Sequence, residues 1–270
     1  MKIIFPDNFY IQEKARQRLE NAMLNAVATL SSSKNLDIAG LSEVIVVEKI
    51  KPSQRHTYLG NIGGEVVTNN HNPLDFTIRI VGTIFDLRLM KDKEIDAEFI
   101  NALQHELAHV HDHNKIPHIY AERTLRNKTL SQENAIGGVA LRIWSEFIAT
   151  QLSSNGRIHN RVENKIKALN QICQDLTKAP QEQRCVLIME TLCSMAYFLG
   201  DIFNHEELAN EITERVDIGQ YTSYLGRLDE ELCALLETYP QWRDMTALEN
   251  LKNIVHDFFN ATYNNKGESA

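Results

Sequence analysis

The sequence predicts an α+β fold: one helix, then a small mixed or antiparallel sheet, then helices to the end. Three observations predict it. Apolar residues recur at helical spacing near the N-terminus, β-branched stretches fall between about residues 41 and 80, and from about Ile95 the period is helical almost throughout. With 270 residues, 43% of them hydrophobic, the chain can bury a sizeable core. It divides into a sheet-bearing core over 1–155 and a mostly α-helical region over 156–270.

The elements follow in order. Residues 9–31 carry helical spacing with few breakers and predict a helix. Leu41–Ile50 is rich in β-branched residues, and Phe76–Ile80 alternates apolar and polar; both predict strands. His56–Thr68, interrupted by Gly60, Gly63 and Gly64, predicts a hairpin or irregular turn, and Asn69–Pro73 has strong turn chemistry. Ile95, Phe99, Leu103, Leu107 and Val110 form one apolar helical stripe, with Asp92 or Asp96 as its cap and Pro117 marking its end. After a loop at 113–130, a second helix runs from an N-cap at Ser131 through Leu152 to a stop signal at Ser153–Gly156. From Asn160 to Phe259 the chain reads as helix, with breaks near Pro180, Gly219 and Pro240, before a disordered tail.

Composition excludes several classes of partner. A net charge of -8 leaves no basic footprint for nucleic acid. The N-terminus lacks the apolar core of a signal peptide, and no segment approaches the ~18 apolar residues of a membrane span, so a cytoplasmic location is expected. Cys173, Cys185, Cys193 and Cys233 form no C-x-x-C pair and are expected to be buried, reduced thiols.

The chemistry concentrates in Gln104-His105-Glu106-Leu107-Ala108-His109, an H-E-x-x-H motif within a predicted helix. Histidines at i and i+4 share a helix face, so two imidazoles can reach one metal ion. Glu106 points to the adjoining side, where it can take a proton from the attacking water without entering the coordination sphere. Catalytic zinc normally takes three protein ligands, so a third must come from elsewhere. Asp112 and Lys115 occupy the Gly and final His positions that a metzincin extension would need, which excludes that solution. Glu146, flanked by Trp144, Phe147 and Ile148, would be costly to bury unpaired; a metal ion would offset that cost, and so would Arg142 one turn earlier. Asp112, His113, Glu122 and Glu133 are rival ligands, Asp112 being better suited to hydrogen bonding an imidazole.

A helix bearing H-E-x-x-H, followed by a second whose Glu146-Phe147-Ile148-Ala149 begins a Glu-aromatic-x-Ala pattern, resembles the gluzincin zinc metallopeptidases. The likeness is strongest to compact bacterial and phage-associated ones, including anti-repressor metallopeptidases, and covers residues 75–155. It implies a zincin-like core in which His105, His109 and Glu146 bind Zn2+ and Glu106 is the general base. It also implies a peptide or protein substrate, pairing with Phe76–Ile80 as an edge strand. Imidazole and carboxylate ligands suit several divalent ions, and zinc is chosen on prevalence over manganese or iron.

Other residues have blander readings. His111, His113 and His118 read as a solvated helix end. Tyr120, Tyr197, Tyr221 and Tyr224 are candidates for stabilising an oxyanion, although aromatics at helical spacing are usually core. The glycines at 60–64 lack the Lys-Ser/Thr ending of a phosphate loop, and Gly137-Gly138 suits close approach of a neighbouring helix. Alternatives to peptide hydrolysis are hydrolysis of a non-peptide amide, a regulatory or binding scaffold, and a latent protease controlled by helices 160–265 and a regulatory protein partner.

Overall fold

The computed structural model describes residues 1–6, 13–50, 63–69, 72–82, 97–126, 131–153, 159–203 and 216–263. Those residues form an α+β protein, mostly helical, with a small mixed four-stranded sheet. They divide into two compact units, Met1–Pro117 and His118–Ala270.

The first unit comprises β1 (Lys2–Ile4), α1 (Glu13–Ser33), β2 (Leu41–Val47), β3 (Gly64–Asn69), β4 (Asn72–Val81) and α2 (Ala97–Lys115). Strand order is β1-β2-β4-β3, with β1, β2 and β4 parallel and β3 antiparallel to β4. The period-2 pattern puts Val44, Val46, Phe76, Ile78 and Ile80 in the core, while Glu43, Thr77 and Arg79 sit in half-buried positions between them. Helix α1 buries Leu19, Met23 and Val27 at four-residue spacing, and α2 buries Phe99, Leu103, Leu107 and Val110; α2 packs on β3, β4 and α1. Each such large apolar side chain contributes on the order of 1.5–3 kcal/mol, so the stripe anchors α2 firmly. Gly40 enters β2 with φ +77°, and a Cβ there would lie 1.9 Å from the Leu74 carbonyl oxygen, so glycine is required.

Phe76–Ile80 is therefore not an edge strand. Strand β4 runs between β2 and β3, and its backbone is paired on both sides; the outer positions belong to β1 and β3. Asn69 ends β3 and pairs with Asn72, which with Pro73 begins β4, so the expected turn over 69–73 narrows to residues 70–71, which lie outside the described residues. Also outside them are residues 9–12 of the first predicted helix, most of the 56–68 hairpin, Ile95, the proposed caps Asp92 and Asp96, the stop signal beyond Ser153 and the tail.

The second unit contains α3 (Pro117–Arg126, beginning one residue before the boundary), α4 (Gln132–Ser153), α5 (His159–Lys178), α6 (Gln181–Ile202), α7 (Thr222–Thr238) and α8 (Glu249–Tyr263). Part of the expected 113–130 loop is thus helical, and Pro117 opens α3, where its missing N–H costs nothing. Ser131 caps α4 as expected: its Oγ accepts from the Asn134 N–H at 3.2 Å. Helix α6 packs on α4, α5, α7 and α8. A Cβ on Gly200 would lie 2.6 Å from the Phe147 carbonyl oxygen, so α4 and α6 meet almost backbone to backbone. By length and composition alone α6 could cross a membrane, contrary to expectation, yet most of its apolar window is buried inside the protein. Trp144 is fully buried, with Trp242 at a ring-centroid distance of 4.6 Å and Tyr239 at 5.2 Å.

The cysteines are not all buried: Cys173 and Cys193 are, whereas Cys185 is exposed and Cys233 half-buried. Gly138 makes room for the Arg123 guanidinium from the neighbouring helix α3: a Cβ there would meet its Nη2 at 1.8 Å. Arg123 donates from Nη1 to the Asn134 carbonyl, tying α3 to the start of α4.

Candidate metal centre

Helix α2 presents His105 and His109 on one face, half-buried, with Nε2 atoms 3.1 Å apart and ring planes at 89°. Two nitrogens held 2.0–2.1 Å from one tetrahedral ion are separated by about 3.3 Å, so little movement is needed to share a metal. Without an ion, one ring can donate a hydrogen bond to the other. Glu106 is 6% exposed and lies against β3: a Cβ built on Gly64 would be 2.8 Å from its Oε1. The apolar stripe of α2 is buried away from these groups, as the period of the sequence requires.

The last turn of α2 is not a solvated end. His111 accepts through Nδ1 from the Asp37 N–H at 2.7 Å, which fixes that nitrogen as unprotonated. Asn114 donates to the Asp37 and Ala39 carbonyls, and Lys115 lies 3.4 Å from the Asp37 carboxylate. The Ala39 N–H holds the Asp37 carboxyl below its ordinary range against the opposing effect of burial, with Lys115 and His111 adding to the lowering. His113 meets Phe76 edge-on at 5.6 Å, and burial, with the His109 charge second, pulls its pKa to about 3. His118, further on in the second unit, is hydrogen bonded to the Trp242 carbonyl at 2.6 Å. Asp112 is fully buried.

In the second unit, Glu146 sits mid-way along α4 among buried apolar neighbours and is itself 8% exposed. Arg142 Nε lies 3.6 Å from Glu146 Oε1, so the arginine anticipated from the sequence is present beside the carboxylate. Burial opposes the Arg142 charge, but Cys193, Glu146 and Tyr197 more than offset it and raise the guanidinium pKa. Burial pushes the Cys193 thiol up to about 12.

Among the described residues, His105, His109 and Glu146 are a group that could hold a metal ion. The two imidazole nitrogens and the carboxylate oxygen of this group suit several divalent ions. Asp112, His113 and Glu133 are not part of it, and Glu122 is engaged elsewhere, by Arg126 and the Met245 N–H. The tyrosine candidates have other occupations. The Tyr120 hydroxyl donates to Ser145, Tyr221 is buried beside Phe258, Tyr224 packs on the same ring, and Lys165 lies over Tyr197. Sequence reasoning missed Gly64; the available signal was a Gly-Gly pair just before Glu65 and the β-branched Val66-Val67-Thr68 run. No protein-family model matches this chain, and neither curated proteins nor solved structures yield a match.

Proposed function

We propose that the protein is a metal-dependent hydrolase of peptide bonds, with His105, His109 and Glu146 as zinc ligands and Glu106 as general base. The observation that carries this reading is the His105, His109 and Glu146 group, whose donors could hold a metal ion, with Glu106 adjacent in sequence to one of them and outside the group itself. A bound divalent ion supplies Lewis acidity, making water nucleophilic near neutral pH and polarising a carbonyl. His105 and His109 hold their nitrogens on one face of a rigid helix, and Glu146 adds one negative charge. Glu106 accepts the proton from water and passes it to the departing amine. An extended peptide suits β3, the outer antiparallel strand that contacts Glu106 through Gly64.

Metal analysis and a peptide-cleavage assay test the reading together. Wild type should carry about one ion per chain, and Glu146→Ala should lose most of it. Glu106→Gln should keep the metal and lose roughly 10²–10⁴-fold in kcat. Unchanged metal content in Glu146→Ala would remove Glu146 from the ligand set, and full activity in Glu106→Gln would end the proposed base role.

A further inference from the structure

We infer that Gly64 is a positioning residue for Glu106, so that β3 as well as α2 fixes where the proton acceptor sits; this rests on the hydrolytic reading above. A Cβ at Gly64 would stand 2.6 Å from Glu106 Cγ, 2.9 Å from Cδ and 2.8 Å from Oε1. Contacts below 3.0 Å are not tolerated by a real Cβ, so any side chain at position 64 displaces the glutamate. Neighbouring Gly63 differs: its Cβ would meet only the Ala102 methyl, at 3.4 Å.

The need for glycine is spatial rather than conformational. Gly64 is not among the described residues with positive φ, which are Asn35, Gly40 and Gly219, so its backbone would accept alanine. Its position is pinned from the other side. Gly64 pairs with Ile80 in the β3–β4 ladder, and the Val81 N–H donates to the Gly63 carbonyl at 2.8 Å. The strand therefore forms a fixed backbone wall, and Glu106, with several rotatable bonds, rests its distal half on it. A general base must meet its proton within hydrogen-bond reach, and misplacement by about 1 Å can cost on the order of 100-fold in rate.

A stability cycle on metal-free protein tests the contact, with wild type, Gly64→Ala, Glu106→Ala and the double variant. Gly64→Ala should lower Tm measurably but by no more than about 2–4 °C, since the displaced atoms are the mobile end of a side chain, and the same change made in Glu106→Ala should have no such effect. Equal effects in both backgrounds would overturn the inference. Should Gly64→Ala fail to fold, the double variant should fold; failure of both would overturn it equally. With metal and a quenched fluorescent peptide, Gly64→Ala should keep its metal stoichiometry and KM while kcat falls about 10–100-fold. Gly63→Ala should match wild type, and an unchanged kcat in Gly64→Ala would defeat the positioning role. An inactive wild type with a coupled cycle would instead defeat the hydrolytic reading and leave the contact standing.

Discussion

His113 shows how burial turns one side chain into a pH-dependent contribution to stability. Its imidazole is held neutral, with a pKa pulled from 6.5 to about 3, chiefly by burial. Between those values the unfolded chain binds a proton that the folded one does not. The favourable contribution is therefore complete above pH 6.5 and is lost as pH falls towards 3. In metal-free protein, His113→Phe should keep the packing on Phe76 and lose less stability than wild type between pH 7 and about pH 4.5 in urea unfolding. Parallel profiles for the two proteins would refute this. The sequence could not give the environment of this residue, because a histidine near a helix end reads as solvated until its partners are known. Phe76, on a strand far from His113 in the chain, is such a partner. The pairing of His105 with His109 was legible for the opposite reason: i and i+4 on a helix is a local geometry set by the chain itself.

Packing between elements follows the same division between local and distant information. The described helices over 159–202 and 222–263 were readable from periodicity and from the breaks near Pro180, Gly219 and Pro240, residues 204–215 lying outside the described residues, and Ser131 was readable as a cap because capping is local. The place of β4 in its sheet was not. Alternation in Phe76-Thr77-Ile78-Arg79-Ile80 reports which face each residue occupies; it carries no information on how many neighbours the strand has. Close helix contact at Gly200 was equally hidden, since one glycine in a long helix looks only like a weak point. Gly200→Ala should cost roughly 1–3 kcal/mol by forcing α4 and α6 apart, against the modest gain in helix propensity. Denaturant unfolding measures it, and a variant as stable as wild type would mean that the helices separate at no cost.

At the scale of the whole chain, the α+β class was legible because it depends only on the order of periodicities. The grouping of Glu146 with two histidines was not readable from spacing, because 37 residues separate it from His109 and no local rule spans that distance. Its chemistry, a carboxylate among Trp144, Phe147 and Ile148, and the Glu-aromatic-x-Ala pattern it begins drew attention to it. Those aromatic neighbours have a practical consequence. The chain has two tryptophans, Trp144 and Trp242, both buried and both in the unit beginning at His118. Intrinsic emission excited at long wavelength is thus a reporter for one unit and silent about the sheet-bearing one. In the native state acrylamide should quench it weakly, and on unfolding the signal should shift to the red. A fluorescence titration and a far-ultraviolet dichroism titration would coincide only when the two units lose their structure together, so the pair of spectra doubles as a gauge of cooperativity with no label attached.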